Sequence, residues 1–126
     1  MLPKTVLLVE NDAIIAMDLQ RTLQRRGYSV ETCETEGLDV ILSIPREGIA
    51  PDLVLMNATL KGFLNSNQTA RLFQFLYHTP ILFLTGMRKM DLTQFEDTAL
   101  RHHFLFKPFT RIQLFQAINY TLSLSS

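Results

Sequence analysis

Polar side chains capable of chemistry stand at the ends of four short apolar runs in this sequence. The runs 6–9, 53–56, 81–84 and 104–106 are followed in turn by Glu10-Asn11-Asp12, Asn57, Thr85 and Lys107. Carboxylates and other oxygen-bearing groups are what a hard divalent cation binds. An ionised carboxylate is also the nucleophile that phosphoryl transfer to an acidic side chain requires. Asn57 is the most informative of these residues, because its neutral amide is a poor nucleophile.

Short apolar runs alternate with helical patterns along the chain, and these elements must position the polar residues. Strands are predicted over 5–9, 28–33, 53–56, 81–84 and 104–106. Helices are predicted from an Asn11 or Asp12 cap to about Arg26, over 37–44, 65–77 and 91–100, and after a Thr110 cap. The run 53–56 is continuously apolar, which is typical of strands buried on both faces of a parallel sheet. Repeated strand–helix units predict a parallel sheet with helices on both faces.

Four motifs in this order, spread over nearly the whole chain, resemble the receiver domain of bacterial two-component response regulators. The motifs are Val6-Leu7-Leu8-Val9-Glu10-Asn11-Asp12, Pro51-Asp52-Leu53-Val54-Leu55-Met56-Asn57, Leu84-Thr85-Gly86 and Phe104-Leu105-Phe106-Lys107-Pro108-Phe109. The resemblance implies a flavodoxin-like (βα)5 three-layer sandwich with a parallel sheet in the order 2-1-3-4-5. It places the site at the carboxyl ends of the strands. It also implies a cis peptide bond between Lys107 and Pro108.

Two positions of the implied site depart from the family pattern. Asn11 stands where the family has an aspartate that binds metal, and Asn57 stands where it has the aspartate that accepts the phosphoryl group. Glu10 keeps the first acidic position, and the backbone carbonyl of Thr59 is the remaining expected ligand. We therefore expect a domain that takes up no phosphoryl group, binds Mg²⁺ weakly or not at all, and needs no other cofactor.

The other two positions of the implied site match the family. Thr85 corresponds to the hydroxyl residue that meets the phosphoryl oxygens, and Lys107 corresponds to the site lysine. With Glu10 and Lys107 beside neutral amides, the site is expected to be roughly charge-balanced without an ion. An engineered block of phosphorylation is an alternative origin for Asn57. Asn11 argues against that origin, because a second substitution would be superfluous.

The bulk composition restricts the class of protein. A length of 126 residues fits one domain, 1–126, and a hydrophobic fraction of 47% is too high for a disordered chain. Lys plus Arg and Asp plus Glu number 12 each, so net charge gives no long-range attraction to nucleic acid or to an anionic membrane. A single cysteine, Cys33, excludes an internal disulfide and fits a cytoplasmic protein. No apolar run approaches the roughly 20 residues of a membrane span.

Aromatic side chains carry the remaining signal, because the chain has 9 phenylalanines and no tryptophan. Phe75, Phe104 and Phe115 do not all fit the inward faces of their predicted elements, and Phe104 and Phe115 fall near the end of the chain. They are therefore predicted to form an interaction surface on the face built by the last two helices and the last strand. The alternative is that the helix phase is shifted by one residue and both rings belong to the core. His102 and His103 are interpreted as solvated loop residues rather than metal ligands.

These residues favour a phosphorylation-independent protein interaction module in two-component-type signalling. Its partner would be a protein of the pathway, such as a histidine kinase or another regulator, or a second copy in a homodimer. Two alternatives remain open: a receiver-like domain switched by a ligand in the vacated pocket, and a small flavodoxin-like redox or phosphatase enzyme. The acidic turn Glu10-Asn11-Asp12-Ala13 would repel a flavin phosphate, and a metal phosphatase would need the missing aspartates. We therefore predict no enzymatic activity.

Overall fold

Five parallel strands form one sheet in the order β2-β1-β3-β4-β5, as predicted. The structure is a computed structural model that describes residues 4–33, 50–58, 65–86 and 100–124. The strands are β1 (Thr5–Val9), β2 (Ser29–Cys33), β3 (Leu53–Asn57), β4 (Ile81–Thr85) and β5 (His102–Phe106). The inner strands β3 and β4 are buried at every position. Their continuous apolar runs follow from this burial on both faces.

Three helices are described, and each begins at a side chain that caps its first turn. They are α1 (Ala13–Arg25), α2 (Ser66–Tyr77) and α3 (Arg111–Leu122). Asp12 caps α1, and Asn65 and Thr110 form capping boxes at the starts of α2 and α3. Gly27 ends α1 with a φ of 96°, in the left-handed region that favours glycine. Apart from Leu100, the helices predicted over 37–44 and 91–100 lie outside the described residues.

The sheet carries a hydrophobic core on each face. On one face α1 and α3 pack against the sheet, and their buried side chains include Leu19, Leu23, Leu114 and Ile118. On the other face α2 contributes Ala70 and Phe73 to a core that includes Phe83 and Leu100. Helices therefore lie on both sides of the sheet, which confirms the predicted flavodoxin-like sandwich. None of the helices in the described ranges is both long and apolar enough to cross a membrane.

Phe115 is a core residue, so its predicted exposure is wrong. Its side chain is 8% exposed, and it packs with the core between α1, α3 and the sheet. The ring stacks on Tyr28 with centroids 6.3 Å apart, and the guanidinium of Arg26 lies 4.4 Å from its centroid. The inward stripe of α3 is wide enough to include 115 beside Leu114 and Ile118. The shifted helix phase weighed above is therefore correct for this residue.

Phe104 is half-buried rather than freely exposed. Its ring packs against the core on the α2 face and stacks on Phe83 with centroids 5.2 Å apart. The two histidines before it are also half-buried. They belong to β5, which begins at His102. His102 meets Phe83 edge-on, with ring centroids 6.0 Å apart, and the ring of His103 lies 4.6 Å from that of Tyr120. The interpretation of these histidines as solvated loop residues is therefore wrong.

Candidate functional site

The polar residues predicted to do chemistry meet at one edge of the sheet, where the parallel strands end. Asn57 and Thr85 are the last residues of β3 and β4, and Glu10 and Lys107 directly follow β1 and β5. Backbone hydrogen bonds continue the sheet at this edge. The N–H of Lys107 donates to the carbonyl of Thr85 at 2.8 Å, and the N–H of Ala58 donates to the carbonyl of Leu84 at 2.9 Å. These bonds fix the spacing of the site residues.

Glu10 is the buried carboxylate of the site, with only 2% of its surface exposed. Its Oε1 accepts two hydrogen bonds, from the backbone N–H of Asp12 at 3.2 Å and from Nδ2 of Asn57 at 3.1 Å. Its Oε2 is buried and has no hydrogen-bond partner in the part of the chain that the structure describes. A buried charge is costly unless it is well hydrogen-bonded, so the two donors to Oε1 are important for Glu10.

Asn57 is held from two sides at the end of β3 and is 9% exposed. Its Nδ2 donates to Oε1 of Glu10, and a longer contact of 3.5 Å joins it to Oδ1 of Asn11. Its backbone carbonyl accepts a hydrogen bond of 2.8 Å from the hydroxyl of Ser66, the first residue of α2. Ser66 is itself 1% exposed, so α2 anchors the position of Asn57 from inside the fold. Sequence reasoning did not identify Ser66 as part of the site.

The remaining site residues differ in their exposure to solvent. Thr85 is buried, whereas Asn11 and Lys107 are exposed at the rim. The next residue after Thr85 is Gly86, and within the described ranges no atom outside its immediate chain neighbours would lie within 4 Å of a Cβ added there. The peptide bond between Lys107 and Pro108 is cis, as predicted.

Within the described residues, this edge of the sheet offers few carboxylate ligands for a divalent cation. A hard cation such as Mg²⁺ prefers several oxygen ligands with carboxylates among them. Among the described residues Glu10 supplies the buried carboxylate at this edge, whereas Asp12 is exposed and its Oδ1 accepts the backbone N–H groups of Ile14 and Ile15 at the start of α1. Within residues 4–33, 50–58, 65–86 and 100–124 there is no group of three or more His, Cys, Asp or Glu that could hold a metal ion. Thr59, the expected carbonyl ligand, lies outside the described residues.

A second concave feature lies between β5 and α3, away from Asn57. It is a groove of about 480 Å³ whose walls include His103, Phe106, Gln113, Gln116 and Tyr120. Burial lowers the pKa of His103, and the neighbouring His102 lowers it further. Both effects favour the neutral imidazole. The residues named here therefore line the groove with aromatic and neutral polar side chains rather than with charged ones.

Comparison with known proteins identifies the family. Residues 6–119 match the family model of the response regulator receiver domain. The chain belongs to this family. Receiver domains act in two-component signalling and interact with kinases or other regulators, and this chain is one of them. The resemblance drawn from its four motifs is confirmed at this level.

Individual relatives agree with the family and the fold. The chain is 32% identical over 104 residues to the uncharacterized transcriptional regulatory protein YbdJ of Bacillus subtilis, covering 82% of the chain and 44% of YbdJ. It is 28% identical over 121 residues to the transcriptional regulatory protein PdtaR of Mycobacterium tuberculosis, covering 96% of the chain and 58% of PdtaR. This receiver domain thus spans about half the length of these relatives. A crystal structure of a response regulator receiver protein from Sinorhizobium medicae superposes with a TM-score of 0.83, at 25% identity, over 98% of each chain.

Proposed function

We propose that this receiver domain works without phosphorylation, as a protein interaction module of a two-component pathway. The observation that carries the proposal is the amide of Asn57 at the end of β3, hydrogen-bonded to the buried carboxylate of Glu10. Family resemblance assigns this position to the aspartate that accepts the phosphoryl group. A neutral amide cannot act as the carboxylate nucleophile of that reaction. The domain would then signal through a surface that is already formed in its resting state, and it would have no enzymatic activity.

Weak or absent Mg²⁺ binding is part of the same proposal. The buried carboxylate of Glu10 is the principal anionic group at this edge, and Asn57 presents a hydrogen-bond donor to it rather than an oxygen. Family resemblance assigns a second carboxylate to position 11, where this chain has an exposed amide. The site therefore has two carboxylates fewer than the family pattern. Few charged ligands remain to compensate Mg²⁺ for the water molecules that it loses on binding. The proposed domain therefore needs no cofactor.

The groove between β5 and α3 is the best-supported partner surface. It retains the predicted location on the last strand and last helix, but its exposed aromatics are Phe106 and Tyr120 rather than Phe115. Phe104 also lines the groove, although its half-buried ring packs against the core on the α2 face of the sheet. Aromatic anchors surrounded by neutral polar groups are common at protein interfaces. The partner would be a histidine kinase, another regulator or a second copy of this chain, and the zero net charge gives no support to a nucleic-acid partner.

Association of the unmodified protein tests this proposal. Tyr120 is 53% exposed on α3, so Tyr120→Glu is expected to leave the fold intact while placing a charge in the groove. Loss of an aromatic anchor typically weakens an interface by at least about 2 kcal/mol, which is roughly 30-fold in affinity. Light scattering without any phosphoryl donor, beside circular dichroism, measures association and folding together for the homodimer case. Binding to a purified cognate kinase is measured in the same way for a heterologous partner.

The matched control is Ile14→Glu, which places the same charge on another exposed apolar residue, on α1. The proposal predicts that this control associates as the unmodified protein does. If Ile14→Glu weakens association and Tyr120→Glu does not, the partner surface lies on α1 and its assignment to the groove is wrong. Association that appears only after treatment with a phosphoryl donor would contradict the phosphorylation-independent function itself.

A further inference from the structure

We infer that the side-chain amide of Asn57 takes the place of a bound cation and stabilises the fold by holding the buried carboxylate of Glu10. The inference rests on the proposed function, because it concerns the same site without metal or phosphate. Nδ2 of Asn57 lies 3.1 Å from Oε1 of Glu10 and 3.5 Å from Oδ1 of Asn11. The NH₂ group of one amide thus lies close to two oxygens, in a position where a small cation could otherwise bind both of them.

The chemistry of Glu10 fixes which end of the Asn57 amide faces it. An ionised carboxylate can only accept hydrogen bonds, whereas an asparagine side chain has one donating and one accepting end. The contact of 3.1 Å is therefore favourable only when the NH₂ group of Asn57 points to Glu10. The opposite orientation would place two oxygens against each other in a buried position. The amide at this position thus has a defined orientation and a defined partner.

Glu10 depends on this donor because few other groups satisfy it. The carboxylate is 2% exposed, and its other donor is the backbone N–H of Asp12 at 3.2 Å. Its Oε2 has no hydrogen-bond partner in the described part of the chain, so the ammonium of Lys107 does not bond to that atom. Lys107 is instead exposed at the rim. Loss of the Asn57 donor would leave a buried charge with one remaining hydrogen bond from the described residues, which is strongly unfavourable.

Asn57→Asp tests the inference, because it replaces the donor with a second carboxylate at nearly the same size. The two carboxylates would face each other at about the distance of the present hydrogen bond, and no cation would separate them. Losing a hydrogen bond to a charged group costs about 1.5–3 kcal/mol, so the folding equilibrium constant at neutral pH should fall about 10- to 100-fold. Urea unfolding in a chelating buffer without phosphoryl donor measures this change. Asn65→Asp, at an exposed helix cap where aspartate and asparagine are equivalent, should leave stability almost unchanged.

A double-mutant cycle with Glu10→Gln identifies the cause of the loss. In that background residue 57 faces a neutral amide, so adding Asn57→Asp should cost less than a third of what it costs beside Glu10. If Asn57→Asp alone fails to fold, recovery of folding in the double variant supports the inference. Three results would overturn it: an unchanged stability of Asn57→Asp, an equal cost in both backgrounds, or failure of both variants to fold. Because no phosphoryl donor is present, each result is independent of whether the unmodified protein can be phosphorylated.

Discussion

Replacing Phe115 by aspartate is expected to unfold the protein rather than to detach a partner. The ring is buried in the core between α1, α3 and the sheet, where it stacks on Tyr28 and lies under the guanidinium of Arg26. Truncating a buried phenylalanine costs about 3–5 kcal/mol, and a buried carboxylate adds a further desolvation cost. Domains of this size are stable by only about 5–15 kcal/mol. Circular dichroism during urea or thermal unfolding should therefore show a largely unfolded population under native conditions.

Phe75→Asp is the matched control for this substitution, because it changes the same residue type on α2 where the ring is 78% exposed. Its free energy of unfolding should stay within about 0.5 kcal/mol of the unmodified protein. A Phe115→Asp variant that unfolds at the same urea concentration as the unmodified protein would show that position 115 is on the surface. The originally predicted interaction site would then be correct, and the description of the α3 core would be wrong.

Restoring both aspartates, in an Asn11→Asp and Asn57→Asp double variant, is expected to create Mg²⁺ binding. With Glu10, the variant would present three carboxylates at one edge, and the cation would relieve their repulsion. We expect affinity for Mg²⁺ to rise on the order of 100-fold over the unmodified protein. Isothermal titration calorimetry measures the affinity directly. A parallel rise of the unfolding temperature with Mg²⁺ concentration shows that the cation binds the folded state.

The single variant Asn57→Asp separates the contributions of the two positions to metal binding. It is expected to gain little Mg²⁺ affinity, because the amide of Asn11 still replaces one direct carboxylate. If the single variant binds Mg²⁺ as tightly as the double variant, Asn11 does not limit the metal site. If the double variant also fails to bind, the site has lost more than its two carboxylates, and the proposed reason for weak metal binding is incorrect.

The strands and helix starts were predictable because their causes are local. A strand buried on both faces of a parallel sheet must be apolar throughout, so β3 and β4 are visible as continuous runs. Helix caps need particular side chains at fixed spacings, which is why Thr110 marks the start of α3. The site positions followed from residues at the ends of those strands. Parallel pairing brings such ends to one edge of a sheet whatever the sequence between them.

The features that were missed depend on contacts between residues distant in the chain. Phe115 is buried because the end of α1 brings Tyr28 and Arg26 against α3, which periodicity within one helix cannot show. The side chain of Gln74 is buried and hydrogen-bonds the backbone of Arg101 through both of its amide atoms, joining α2 to the start of β5. Such a glutamine looks like any polar surface residue in the sequence. The bond between Asn57 and Glu10 spans 47 positions and is visible only once the strands are paired.

The central claim is that the domain cannot be phosphorylated at the end of β3, and intact-mass spectrometry tests it most directly. The unmodified protein is incubated with Mg²⁺ and a small acyl-phosphate donor, beside a receiver domain that has aspartate at the corresponding position. The account predicts that the control gains one phosphoryl group and that this protein keeps its original mass. A gain of one phosphoryl group by this protein, mapped to Asn57 or to the side chains around it, would contradict the account.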